Sequence, residues 1–219
     1  MHLKKVLLHT AFLETIKEFY SLVLQLQVQS IDDRQIKVNI GDSDLVFIKA
    51  DHGEPYYHFA INIPANKIEQ AKAWLTGKVE LLWMDDYNSD IADFRNWHAK
   101  SVYFYDPAGN IVELITRFDL RNESTDNFSS KQFISIGEVG LVFKAHEFEQ
   151  KNSELLKSYC LSYFSKQPPL PQFRAIGDDE GLFVVVPEKR NWYPTSKPAG
   201  IFPMSVEFET GGQNFRLKS

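Results

Sequence analysis

Two strand residues in the middle of the chain, Glu113 and His58, carry side chains that could do chemistry. Side chains alternate between the two faces of a strand, so within residues 111–116 Glu113 shares its face with two isoleucines. A carboxylate there either faces solvent or is buried with a partner, because an unpaired buried charge is very costly. His58 lies on the polar face of residues 57–63, whose opposite face is fully apolar. That polar face lines either water or a polar cavity, although each residue taken alone is more often structural.

A further candidate, Tyr103, follows from the hairpin that precedes Glu113. The sequence Asp-Pro-Ala-Gly-Asn at residues 106–110 is typical of a hairpin connection, with Pro starting the turn and Gly free to take a positive φ. If the loop is residues 107–109, counting back along the two strands places Tyr103 opposite Glu113 on the same face. The phenol would orient the carboxylate or donate a proton to a substrate, or it would only pack in the interior, and both interpretations stay open.

These residues belong to an order of one strand, one helix and three strands that recurs along the chain. The first unit is predicted to have strands at residues 3–9, 27–31, 35–40 and 45–48 and a helix from residue 13. The second is predicted to have strands at residues 57–63, 79–83, 101–105 and 111–116, a helix from residue 68 and a loop over 84–97. The third is predicted to have strands at residues 138–144, 173–176 and 182–186 and a helix from residue 148. A last strand at residues 204–209 either closes the third unit or opens an incomplete fourth.

Composition excludes several classes of protein. The 219 residues are 43% hydrophobic and carry a net charge of −5, which is enough apolar content for a core and gives no electrostatic footprint for nucleic acid. The single Cys160 forms no internal disulfide, so a reducing compartment is expected. No apolar run approaches the roughly 18 residues of a membrane span, and the N-terminal segment does not read as a signal peptide. We therefore expect a cytoplasmic protein that handles a small molecule.

Three segments make the chain similar to the vicinal oxygen chelate superfamily, which contains glyoxalase I, extradiol dioxygenases, fosfomycin-resistance enzymes and bleomycin-binding proteins. Residues 13–20 resemble the family's first helix with its Phe-Tyr pair, and residues 58–63 resemble the strand that opens its second unit. Residues 103–114 match its most recognisable motif, the Asp-Pro-x-Gly hairpin followed by a glutamate. The resemblance covers residues 1–117. It implies an α+β fold of repeated βαβββ modules that form a half-open mixed β-barrel.

The same resemblance implies a metal site. Metal-dependent members hold a divalent ion with His and Glu side chains from the first and last strands of each unit, and His58 and Glu113 sit at two of these positions. An imidazole and a carboxylate suit Fe, Mn, Ni or Zn, with open positions for two oxygens of a substrate. The ion would then act as a Lewis acid that stabilises an enediolate or catecholate.

The first unit departs from the family pattern. Its first strand carries Lys5 where a ligand histidine is common, and its last strand is apolar. A protonated lysine cannot ligate a metal, but Lys5 could pair with Glu113 and take the place of the cation. His98, just before the hairpin, is the remaining candidate for a third ligand, although a loop histidine in water is the simpler interpretation.

We predict paired modules over residues 1–117 that form one cavity, a linker over 118–130, and a third, degenerate module over 131–219. The predicted function is a metal-dependent enzyme of dioxygenase or glyoxalase type that acts on a small oxygen-rich molecule. The alternative is a metal-free protein that binds a small molecule, as in the bleomycin-resistance branch. The expected partner is a small-molecule substrate or ligand, with no nucleic acid and no membrane. A structural or assembly role, such as that of a homodimer, is a third alternative, because an unpaired module exposes sheet surface that a second chain could cover.

Overall fold

The computed structural model describes residues 1–219 and begins with the predicted strand, helix and three strands. The helix forms where Leu13, Ile16 and Tyr20 recur at three- and four-residue spacing, because this spacing buries all three on one side. The unit comprises β1 (His2–Thr10), α1 (Leu13–Glu18), a π-helical turn (Phe19–Val23), β2 (Val28–Ser30), β3 (Gln35–Ile40) and β4 (Ser43–Lys49). Its strands lie in the order β1-β4-β3-β2.

The second unit repeats this arrangement with strand order β5-β8-β7-β6. It comprises β5 (His58–Ile63), α2 (Ile68–Leu75), β6 (Ala92–Phe94), β7 (Ala99–Tyr105) and β8 (Ile111–Arg117). The prediction of a strand at residues 79–83 is wrong, because this segment makes only isolated bridges such as that of Leu81 with Phe104. The third strand, β6, instead lies within residues 84–97, which were expected to be a loop. A strand of three residues is too short to produce a readable alternation in a polar stretch.

The third unit has one strand fewer. It comprises β9 (Ser135–Phe143), α3 (Phe148–Ser158), β10 (Arg174–Asp178) and β11 (Gly181–Pro187). The remaining strands, β12 (Met204–Thr210) and β13 (Gln213–Lys218), form a hairpin that pairs with β1 rather than with the third unit. Of the two alternatives predicted for residues 204–209, the structure therefore supports a separate, incomplete fourth unit.

The units join into one mixed sheet through pairing between the first strand of each unit. Strand β5 pairs antiparallel with β9, and β1 pairs antiparallel with β12, while β1 meets β9 only at Leu3 and Ile136. The second unit is thus completed by the third, and the expected pairing of the first two units is not formed. The fold is α+β, as predicted, with a sheet of 13 strands that does not close. The segment boundaries at residues 117 and 130 stay a prediction, since one sheet runs through all the units.

The main hydrophobic core lies on the helical side of this sheet. Phe59, Ile61 and Ile63 point from β5 into it, and Ile68 and Leu75 of α2 belong to the same cluster. The alternate β5 residues therefore face the opposite side of the sheet. None of the helices is long and apolar enough to cross a membrane.

A buried hydrogen bond connects the first unit to the hairpin of the second. The Tyr20 hydroxyl donates to Asp106 Oδ2 at 3.0 Å, and both side chains are buried. Asp106 also accepts hydrogen bonds from the backbone N–H groups of Ala108 and Asn110 and from Asn110 Nδ2. The carboxylate thus fixes the turn from inside while it holds the helix of the preceding unit. Two of the segments that carry the family resemblance are in direct contact through this bond.

We expect Tyr20→Phe to lower the free energy of unfolding by about 1–2 kcal/mol, because it removes a buried donor from a buried carboxylate while the ring still packs. Urea titration at pH 7 measures the change. Tyr159→Phe is the matched control, since the Tyr159 hydroxyl makes only a long, exposed contact with the Arg216 carbonyl at 3.4 Å. Equal losses in the two variants would show that the Tyr20–Asp106 bond does not stabilise the unit contact.

Candidate functional site

A cavity of about 260 Å³ lies between the second and third units, on the sheet face opposite the helices. The second unit lines it with His58, Phe94, Trp97, Tyr103, Glu113 and Ile115. The third unit and the segment after it contribute Glu138, Phe173, Val184, Arg190, Trp192 and Tyr193. Three titratable groups, His58, Glu113 and Glu138, therefore meet inside a wall of aromatic rings.

His58 is held as a neutral imidazole with one nitrogen free. Its Nδ1 lies 3.2 Å from the Ile111 carbonyl oxygen, which can only accept, so Nδ1 carries the proton. Burial lowers the pKa of His58 to about 4, and the hydrogen bond to Ile111 opposes this only partly. The unprotonated Nε2 then faces Glu113 Oε2 at 3.6 Å. This tautomer leaves a lone pair directed at the carboxylate.

Glu113 is a buried carboxylate without a cationic partner. Its only ion-pair neighbour is His58, which burial keeps neutral. Burial, followed by repulsion from Glu138, raises the pKa of Glu113 to about 8, while the Ser101 and Tyr103 hydroxyls and Arg117 act in the opposite direction. Tyr103 lies directly opposite Glu113 across β7 and β8, which confirms the register predicted from the hairpin.

Glu138 is the site residue that the sequence reasoning missed. It is buried on β9, where it forms an ion pair with the fully buried Arg117. Burial raises the pKa of Glu138, and Arg117 opposes the shift. Arg117 lies on the same face of β8 as Glu113, and its Nη1 also lies 3.7 Å from Asp179 Oδ1. Glu138 is therefore charge-balanced from within the protein, whereas Glu113 is not.

The strand registers show that Glu138 occupies the position in the third unit that His58 occupies in the second. Glu113 is paired with Ala60, two residues after His58, and Val184 is paired with Gly140, two residues after Glu138. The cavity thus has two pairs of equivalent positions, His58 with Glu138 and Glu113 with Val184. Three of these four side chains are polar and one is apolar. Both strands were predicted from the sequence, so an alignment of β5 with β9 that matches His58 to Glu138 could have identified this residue.

The three polar side chains fit a divalent metal ion. One ligand atom from each of His58, Glu113 and Glu138 lies within 4.8 Å of the other two. Ligands bound at about 2.0–2.2 Å are separated by about 3–4 Å, so small side-chain movements would close the set. A neutral imidazole and two carboxylates are ligand types of Zn, Mn, Ni and Fe(II). An ion there would also supply the positive charge that Glu113 lacks.

The other predicted site residues lie elsewhere. Lys5 is on β1 between Asp44 of β4 and Glu207 of β12, and it forms no ion pair with Glu113. His98 is exposed, with a left-handed backbone, and its Nδ1 lies 3.3 Å from Asp119. Neither residue lines the cavity. Lys5 lies elsewhere because the second unit pairs with the third rather than with the first, and His98 is directed to solvent beside Asp119.

Aromatic side chains from the third unit cover the site. The Trp192 ring packs 5.3 Å from the His58 ring, and Tyr193 packs against Tyr103 at 5.9 Å. Gly140 allows this arrangement, since a Cβ there would lie 2.6 Å from the Trp192 ring. The Tyr193 hydroxyl is buried and has no hydrogen-bond partner. Segment 190–194 is thus the cavity wall, a position that its sequence alone did not reveal.

Comparison with known proteins shows the fold and no more. No protein-family model matches the chain, and no curated protein sequence matches it. A proposed dioxygenase from Bacillus subtilis has a similar structure over 100% of this chain and 84% of its own, with TM-score 0.59 and 14% identity. An integron cassette protein from the Halifax Harbour sewage outfall metagenome matches 52% of this chain and 97% of its own, with TM-score 0.46 and 22% identity. Lactoylglutathione lyase from Agrobacterium tumefaciens matches 52% and 91%, with TM-score 0.42 and 19% identity.

The raised pKa of Glu113 predicts how stability depends on pH when no metal is bound. Its pKa is about 8 in the folded chain against an ordinary 4.5, so folding favours the protonated carboxyl. This contribution is fully present below about pH 4.5 and is lost as the pH rises through about 8. From pH 6 to pH 9 the chelator-treated protein should lose on the order of 2–3 kcal/mol of unfolding free energy.

Glu113→Gln should remove most of that loss, because the amide keeps the size of the side chain but has no charge. Urea titrations in EDTA at the two pH values measure the difference. Glu69→Gln, an exposed change on α2, is the control and should follow the wild type. A Glu113→Gln protein that loses as much stability as the wild type would contradict the assignment.

Proposed function

We propose, from a fold that is that of the vicinal oxygen chelate superfamily, that this chain is a metal-dependent enzyme acting on a small oxygen-rich molecule. In the proposal His58, Glu113 and Glu138 hold one divalent ion, and the substrate binds beside them in the aromatic cavity. The reaction is of the dioxygenase or glyoxalase type, in which a substrate offers two neighbouring oxygens to the metal. The fold is compatible with this proposal, and the residues that the proposal names are those of this cavity.

The observation that carries the proposal is the buried, uncompensated Glu113 beside a free imidazole nitrogen. A carboxylate oxygen and a lone pair 3.6 Å apart repel each other unless a proton or a cation lies between them. Arg117 is paired with Glu138 and only partly offsets the effect of burial on Glu113. A divalent ion would satisfy both groups and would use Glu138 as its third ligand.

Each residue around the ion has a distinct task. When bound, the ion would act as a Lewis acid toward substrate oxygens. The Ile111 carbonyl fixes the tautomer that presents His58 Nε2, and Arg117 holds Glu138 in place. Burial raises the pKa of Tyr103, so its hydroxyl keeps its proton and can donate a hydrogen bond to Glu113 or to a substrate oxygen. The aromatic rings exclude water from this set.

A metal-free binding protein is the second candidate, and the Arg117–Glu138 ion pair favours it. This pair already neutralises one of the two carboxylates, and Val184 occupies the fourth equivalent position with no ligand atom. A protonated Glu113 would then leave Arg190 as the one uncompensated charge among the groups that line the cavity. The aromatic wall would hold a small, flat compound by stacking and would carry out no reaction.

Metal content separates the two candidates. Protein purified and loaded separately with Fe(II), Mn(II), Ni(II) and Zn(II) should hold one equivalent of at least one ion by elemental analysis. His58→Ala should weaken that binding more than about 100-fold, because it removes a ligand, whereas the exposed His98→Ala should not change it. Isothermal titration of the chelator-treated protein gives the affinities.

The absence of stoichiometric metal under every loading condition would sink the enzyme proposal and favour the binding protein. Metal bound equally well by wild type and His58→Ala would place the ion elsewhere and would overturn the assigned ligands. Circular dichroism of each variant establishes that the fold is retained.

A further inference from the structure

Arg190 is a cation in the cavity wall with no anionic partner. It is half-buried, and its guanidinium lies 5.4 Å from the centre of the Phe173 ring. Its one hydrogen bond is from Nη1 to the Asn191 carbonyl at 3.2 Å, and no carboxylate lies within ion-pair distance. The two buried arginines differ in this respect, because Arg117 is paired with Glu138 and Arg174 with Glu149.

The segment that carries Arg190 is held in a defined shape. After β11, the N–H of Lys189 donates to the Ala199 carbonyl and the N–H of Ala199 donates to the Arg190 carbonyl, each at 2.8 Å. The N–H of Trp192 donates to the Lys197 carbonyl at 2.9 Å. These bonds close the loop at its base and present Arg190 with Trp192 along one wall of the cavity. Burial lowers the pKa of Arg190, and no nearby acid offsets the shift.

The charges of the cavity favour an anion. With a divalent ion in place, the ion and Arg117 offset Glu113 and Glu138 with one positive charge to spare, and Arg190 adds another. A partly desolvated guanidinium without a carboxylate is costly unless a ligand supplies one, and its planar fork matches a carboxylate with two hydrogen bonds. The surrounding rings provide flat faces for stacking.

We infer that the substrate is a flat, single-ring or conjugated compound that bears a carboxylate, and that Arg190 binds this carboxylate while the vicinal oxygens face His58 and Glu113. The inference rests on the proposed function, because a metal ion at His58 and Glu113 is what would hold the vicinal oxygens of the substrate at that end of the cavity. It adds a specificity-determining residue from the third unit. The cavity of about 260 Å³ has room for one substituted ring.

Isothermal titration with two probes tests the inference on protein loaded with Zn(II), which has no redox chemistry of its own. The probes are 3,4-dihydroxybenzoate and 3,4-dihydroxybenzamide, which share the two hydroxyls and the ring and differ in the carboxylate. Wild type should bind the acid about 10- to 100-fold more tightly than the amide, as expected for a charge-assisted pair. Arg190→Leu should remove this preference by weakening binding of the acid far more than that of the amide, and Arg190→Lys should keep part of it.

The control variant is Arg95→Leu, which removes the same charge from an exposed arginine outside the cavity lining and should keep the preference. Equal affinities for the two probes in wild type, with no effect of Arg190→Leu, would overturn the inference while the proposed function stands. Failure of the proposed function has a different signature, in which His58→Ala and wild type bind the acid equally well. A preference that falls equally in Arg95→Leu and Arg190→Leu would reduce the effect to overall charge and would also overturn the inference.

Discussion

Burial of two carboxylates in one cavity is the condition that the rest of the site must satisfy. Glu113 and Glu138 repel each other and both lose hydration, so each needs a compensating positive charge or a proton. Arg117 meets this need for Glu138, and Trp97 and Phe164 pack about its guanidinium. Glu113 has no such partner, so a proton or, as proposed, a metal ion would have to compensate its charge. Stability without a metal and affinity for a metal are therefore expected to oppose each other at this residue.

The pairing of β5 with β9 brings the two carboxylates together. Ala60 lies opposite Glu138 in this pairing, and Ala60 is also the neighbour of Glu113 on the other side, so one small residue separates the two acids. Neither unit could build the site alone, because each contributes only two of its four equivalent positions. A second small residue, Gly140, lies at another close approach within the site, where it leaves room for the Trp192 ring against β9.

Local features of this arrangement could be predicted from the sequence. The hairpin spacing placed Tyr103 opposite Glu113, and strand alternation put His58 on the face of its strand opposite the apolar one. The choice of partner unit could not be predicted, because it depends on contacts between strands about 80 residues apart that leave no periodic signal. The pairing of the second unit with the third brings Glu138 into the cavity and leaves Lys5 in a different part of the sheet.

The difference between the paired units suggests how work is divided between them. The second unit offers His58 and Glu113, whereas the third offers Glu138 and then Val184, which has no ligand atom. A bound ion with three protein ligands keeps positions open for a substrate, as catalytic rather than structural metal sites do. The third unit also leads directly into the loop that carries Trp192 and Tyr193, which form the wall against which a substrate would lie. The unit that offers one candidate ligand instead of two is thus also the unit next to the aromatic wall.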